Sequence, residues 1–182
     1  MKELITQLAK EIRNKNLVDD RIARITDRPC ERGHTGEYIA SLIFEITLER
    51  AANAKYYDGK FAEGALAGKT VEIKWYGKLE YTLDIKTTQP DYYLVMTGNQ
   101  SPPVASKGKT RPWTINHVYL FDANELIVKL KEQTKADGQG IKIGVATSVR
   151  KQLWEDAEIY PQTRSSMHIT SADQREMLDQ FG

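Results

Sequence analysis

The chain has one cysteine, Cys30, in 182 residues. A lone thiol rules out an intramolecular disulfide framework and fits a reducing compartment, so a cytoplasmic protein is expected. Three scattered histidines and that one cysteine provide no spacing for a structural zinc site. Charge of one sign is also missing. Lys plus Arg number 26 and Asp plus Glu 25, so no global field draws nucleic acid or a membrane, and any such partner must be held by local basic patches. No apolar run approaches membrane-spanning length, and the opening MKELITQLAKEIRNK is amphipathic and charged, unlike a secretory leader. Nucleophile elbows, phosphate-binding glycine loops and zincin signatures are absent. His34, His117 and His168 stand in no recognisable catalytic context and read as structural or surface groups. There is no internal repeat and no linker composition, so residues 1–182 read as one domain with an ordinary globular core.

Turning to what is present, Leu4, Ile5, Leu8 and Ile12 recur at helical spacing and predict an amphipathic helix over residues 2–15. Arginines at 21, 24, 28 and 32 would line one side of a second helical stretch that Pro29 ends. They serve either as a phosphate-contacting strip, with Arg28 and Arg32 nearest the later motifs, or as a solvated face paired with Asp19, Asp20, Asp27 and Glu31. A helix is expected from about Glu37 to Ala52, apolar around most of its circumference and therefore buried. Its polar wedge holds Tyr38, Ser41, Glu45 and Glu49, whereas Glu37 falls inside the apolar arc. Burying an unpaired carboxylate is costly, so Glu37 either serves the helix N-terminus or faces a functional cluster.

The segment Tyr57 to Tyr76 (YDGKFAEGALAGKTVEIKWY) organises the rest. Thr70 to Trp75 has a strand's two-residue period, placing Val71, Ile73 and Trp75 on one face and Glu72 with Lys74 on the other. Residues two apart on a strand lie roughly 7 Å apart, so the Glu72 and Lys74 tips can converge. Should the strand carrying Asp58, beside a flexible Gly59, pair alongside, a second carboxylate joins them. Two carboxylates and a lysine suit a hard divalent cation next to a phosphate.

After Gly77, Leu79 to Lys86 alternates like a half-buried strand and predicts a hairpin with its predecessor. It carries a rival acid-x-lysine pair, Asp84 and Lys86, in a charge-alternating row that reads as a solvated face. Tyr92 to Met96 and Val118 to Phe121 read as strands buried on both sides. Residues 98–113 form a loop in which Lys107, Lys109 and Arg111 precede Trp113, a combination able to hold a phosphate backbone and equally common on plain surfaces. A helix over Glu125 to Thr134, capped by Asp122 or Asn124, a strand over Ile141 to Val145, and a capping-box helix opened by Ser171 and Gln174 complete the chain. The fold class is α/β, a mixed sheet flanked by helices.

Glu37 on a helix, then Asp58, then Glu72-Ile73-Lys74 on a strand resembles the PD-(D/E)xK nuclease superfamily, the restriction-endonuclease-like fold. Gly33–Glu37, Tyr57–Gly59 and Val71–Lys74 also resemble small bacterial proteins related to it. The likeness covers roughly Gly33 to Met96, within a nuclease-like core of about 33–150, and Tyr57 stands where the motif has proline. The resemblance implies Asp58 and Glu72 as metal-binding acids with the Ile73 carbonyl as a further ligand. It implies Lys74 as the group that orients the attacking water or balances the phosphate charge, and Glu37 as an auxiliary acid. Mg²⁺, replaceable by Mn²⁺, would be the cofactor and DNA the substrate of an endonuclease of restriction or repair type. Many relatives act as dimers, so a homodimer is compatible with the likeness. Two other readings stand beside it: a nucleic-acid-binding module that no longer cleaves, and a partner-binding protein in which Asp58, Glu72 and Lys74 form only a buried ion cluster.

Overall fold

Residues 2–26 contain neither glycine nor proline, and in the computed structural model they form one helix, α1 (Lys2–Thr26), rather than two separate stretches. The structure describes residues 2–49, 56–86, 88–100, 111–137, 146–165 and 170–182, with the backbone alone for 134–137. Ion pairs one turn apart, Lys15 with Asp19 and Arg24 with Asp20, support α1 along its exposed length. It stops where Asp27 takes a left-handed φ of 52°, two residues before Pro29.

The second helix, α2 (Arg32–Ile43), begins earlier and ends sooner than its apolar pattern predicts. Glu45 at φ 53° turns the chain, and Ile46–Leu48 becomes strand β1 instead of a last helical turn. Ile46 and Thr47 are β-branched and lose little as a strand, and β1 gains a partner in β2 (Gly59–Phe61). Gly59 is needed here for closeness, not flexibility: a Cβ on it would lie 2.6 Å from the Thr47 carbonyl.

The central sheet has six strands in the order β1-β2-β3-β5-β6-β8, where β3 is Thr70–Tyr76, β5 Tyr92–Thr97, β6 His117–Asp122 and β8 Glu158–Tyr160. All neighbours are antiparallel except β3 and β5, which run parallel from Val71↔Tyr92 to Tyr76↔Thr97. The expected hairpin after β3 is therefore absent. Tyr81 at φ 54° interrupts the alternation, and β4 (Thr82–Asp84) leaves to pair with β7 (Ala146–Ser148) in a separate two-stranded sheet. The strand expected over Ile141 to Val145 lies outside the described residues, although β7 follows directly.

Each face of the sheet has its own core. Val71, Ile73 and Trp75 join Leu94, Met96 and Leu120 under α2 and α5 (Ala172–Asp179). Gly36 lets α2 sit close to β3, since a Cβ there would meet the Trp75 Cβ at 3.0 Å. On the opposite face Tyr93, Val95, Tyr119 and Phe121 pack beneath α3 (Ala123–Asp137), α4 (Lys151–Ala157) and Leu83 of β4. Residues 92–96 are all buried, as their continuous apolar run predicts, and Thr97 is buried with them. Asp122 accepts from the Glu125 amide at the start of α3, and the Ser171–Gln174 capping box opens α5. The protein is thus a mixed sheet flanked by helices. No described helix is long and apolar enough to cross a membrane.

Candidate functional site

β2 starts one residue after Asp58, and the Asp58 amide already donates to the Val71 carbonyl at 3.0 Å. The next amide on that edge of β3, Ile73 N–H, has no β2 residue facing it. Asp58 fills the position with its side chain, Oδ2 accepting from Ile73 at 2.7 Å. A strand residue presents its N–H and C=O to the same edge, so the Ile73 carbonyl shares this side with the Asp58 carboxylate.

Glu72 projects to the other core and is 2 % exposed. Its Oε1 accepts from Lys74 Nζ at 2.7 Å. Lys86 Nζ reaches Oε2 at 2.5 Å as a charge contact, yet Oε2 accepts no well-angled hydrogen bond. Both oxygens of this buried carboxylate therefore have an ammonium partner.

The placement of Lys86 is fixed from two sides. Tyr93 of β5 accepts the Lys86 amide at 3.0 Å and donates to Gln89 at 2.7 Å. Tyr76 of β3 exchanges hydrogen bonds with Asp84, accepting its amide at 3.2 Å and donating to its carboxylate at 3.3 Å. Burial drives both phenol pKa values up, that of Tyr93 to about 12, so the hydroxyls stay protonated and able to donate. The two rival acid-x-lysine pairs thus divide: Asp84 anchors the chain to Tyr76, and Lys86 joins Glu72 and Lys74. Sequence reasoning placed Lys86 on a solvated row because the left-handed turn at Tyr81 leaves no mark in the polar alternation. Tyr93 was equally hidden, as its hydroxyl sits in a run that reads as purely apolar.

Burial, and after it the Glu72 charge, raises the Asp58 carboxyl pKa from 3.8 to about 6; the Ile73 amide opposes this, Glu37 adds to it, and Lys86 offsets part. Asp58 and Glu72 therefore act on each other, and Asp58 is ionised at neutral pH under tension that a positive charge would relieve.

Glu37 stands at one remove. Its carboxylate, 16 % exposed, is paired with Arg28 Nη1 at 2.5 Å, and Arg28 also donates to the Glu49 carbonyl. Among the described residues no three acids, histidines or cysteines assemble as a ready metal cluster. Glu37 acts on Asp58 through its charge alone.

The expected basic contacts separate as well. Arg28 is committed to Glu37. Arg32 lies over the Trp113 ring at 5.8 Å and donates to the Arg111 carbonyl at 3.2 Å, which ties α2 to the end of the 98–113 loop. Arg111 is exposed, and Lys107 and Lys109 lie outside the described residues, as does His168. His117 pairs with the buried Glu158 at 2.9 Å and stacks on Tyr119, a structural role. No protein-family model matches this chain, and no curated protein matches it either.

Proposed function

We propose that this chain is a metal-dependent DNA endonuclease with a restriction-endonuclease-like core, hydrolysing phosphodiesters in a restriction or repair role. One observation carries the reading: Asp58 lays its carboxylate along the free edge of β3, where it feels the charge of buried Glu72. The residues fit a hard divalent cation such as Mg²⁺ or Mn²⁺. Asp58, Glu72 through the Oε2 it shares with Lys86, and the Ile73 carbonyl would supply oxygen ligands, and the Asp58 pKa, raised mainly by burial, leaves a carboxylate whose ionised form a cation would favour. When bound, such a cation makes hydroxide accessible near neutral pH and offsets charge on phosphate oxygens.

The chain's own groups do the remaining work. Lys74 and Lys86 pair with the buried Glu72 carboxylate, and with a phosphate present their ammonium groups would share its growing negative charge or orient water. Tyr93 and Tyr76 hold the segment bearing Lys86 in place. Glu37, neutralised by Arg28, tunes Asp58 without contacting the phosphate. Arg111 and the basic loop before it are the candidate backbone contacts.

The test is incubation of plasmid and single-stranded DNA with Mg²⁺, Mn²⁺ or EDTA, run beside Lys74→Ala. Cleavage that needs metal and is lost in the variant supports the proposal; equal cleavage by both proteins removes it. A second reading has its own observation, because Glu72 already carries two ammonium partners and is charge-balanced without metal. If the cluster is purely structural, Mg²⁺ will not raise the melting temperature and no DNA will be bound. Salt-dependent binding with no product under either metal would instead mark a module that no longer cleaves.

A further inference from the structure

The first two-thirds of α1 touches little of the protein. Apart from Ala9, residues 2–18 are exposed, and Leu4, Leu8 and Val18 are 69 %, 56 % and 43 % accessible. The amphipathic stripe read from the sequence is real, and among the described residues nothing covers its first two-thirds. Leu4, Leu8, Glu11, Lys15, Val18 and Ile22 follow one another at alternating intervals of four and three, the spacing of a helix-pairing seam, and they fit within an arc of about 80°.

The order of residue types along this seam is complementary to its own reverse. It reads apolar, apolar, acid, base, apolar, apolar, with its midpoint at Arg13. Laid antiparallel on a second copy, Leu4 meets the partner's Ile22, Leu8 meets the partner's Val18, and Glu11 meets the partner's Lys15. The same contacts recur across the two-fold axis. Laid parallel, Glu11 would face the partner's Glu11 and Lys15 the partner's Lys15, a like-charge arrangement that costs stability.

The far end of the seam has a receptor. Ile22 and Ile25 border an apolar groove of about 520 Å³ shared with Leu42 of α2, Trp113 and Met177 of α5. Antiparallel pairing brings the partner's Leu4 and Ile5 to its mouth. Leu4, Ile5, Leu8, Ile12, Val18, Ile25 and, on the groove rim, Leu42 are all exposed large apolar side chains, available to an interface whose partners each bury about 800 Å².

We propose that the protein is a homodimer formed by antiparallel pairing of α1, with Glu11 and Lys15 setting register and direction. Lys15 then lies between its own Asp19 and the partner's Glu11. A polar pair at the centre of such a seam costs some stability and selects one alignment. This does not depend on the nuclease reading, because α1 carries none of that site's residues.

Sedimentation equilibrium of the full chain tests it. The wild type should be dimeric at micromolar concentration, Glu11→Lys and Lys15→Glu should each dimerise at least about tenfold more weakly, and an equimolar mixture of the two should recover the dimer. Both substitutions are on an exposed helix face, and recovery in the mixture shows that both chains are folded. Direction is read by oxidation in a Cys30→Ser background. Leu8→Cys mixed with Val18→Cys should crosslink, and Leu8→Cys alone should not. A wild type still monomeric at about 100 µM, single variants as dimeric as the wild type, or crosslinking of Leu8→Cys with itself would each overturn the proposal.

Discussion

Lys86 Nζ stands 2.5 Å from Glu72 Oε2 although the two residues belong to different layers, one following β4 of the small sheet and the other within the central β3. Glu72 is therefore held from both sides, by Lys74 on its own strand and by Lys86 across the core. Removing either ammonium leaves a buried carboxylate with one charged partner instead of two. Lys86→Ala is expected to lower stability by about 1–3 kcal/mol, below the roughly 3–5 kcal/mol for breaking a fully buried pair because Lys74 still pairs with Glu72, and to reduce metal-dependent cleavage at least tenfold. Lys86→Ala combined with Glu72→Gln should recover most of the stability and none of the activity. Urea unfolding beside the plasmid assay separates the two effects.

Asp58 lies on the unfavourable side of a stability–function trade. Its folded pKa of about 6 is above the unfolded value, so the folded state holds this proton more tightly. The group's favourable contribution is complete below about pH 4 and is lost as pH rises through about 6. Over that window the wild type should lose up to ~3 kcal/mol from this one residue. Asp58→Asn can still accept from the Ile73 amide and escapes the loss. Without metal, the variant should be more stable than the wild type at pH 7.5 and no more stable at pH 4, while cleavage is abolished. A difference in unfolding midpoint that does not change with pH would contradict this.

The same titration governs metal binding. A cation held by Asp58 displaces its proton, so apparent affinity should fall about tenfold per pH unit below about 6 and level off above it. The rise in melting temperature produced by Mg²⁺ should accordingly be large at pH 7.5 and small at pH 5. Equal rises at both values would place the metal elsewhere.

Arg28 separates structural from binding roles. Because it is spent on Glu37, Arg28→Ala should cost stability by leaving a mostly buried acid unpaired, somewhat less than the roughly 3–5 kcal/mol of a fully buried pair. Adding Glu37→Gln should recover part of that. Arg111→Ala, with an exposed side chain, should leave stability unchanged and weaken DNA affinity in a salt-dependent way. Filter binding at two salt concentrations with parallel melting curves distinguishes the two arginines.

How much of this is legible in the sequence depends on range. The β3 strand, its two faces, the Glu72–Lys74 pair and the buried run of β5 follow from strand alternation, and the caps of α3 and α5 follow from local chemistry. The split of the predicted 37–52 helix does not, because Ile46-Thr47-Leu48 satisfies a helical apolar arc as well as a strand, and only pairing with Gly59–Phe61 decides between them. The parallel partnering of β3 with β5 is set by Tyr81 turning left-handed, a backbone state that sequence pattern does not mark in a tyrosine. Glu37 read correctly as inward-facing, but its partner, Arg28, lies in the connection before α2, where pattern is silent.

Direct measurement of Mn²⁺ binding, by the loss of the free-ion paramagnetic resonance signal on titration with protein at pH 7.5, tests the shared-cation site most simply. The wild type should take up Mn²⁺ at a site that Mg²⁺ competes for, and Asp58→Asn and Glu72→Gln should each lose it while remaining folded. Undiminished Mn²⁺ binding in both variants, or none by the wild type at millimolar metal, would contradict a cation held between Asp58 and Glu72.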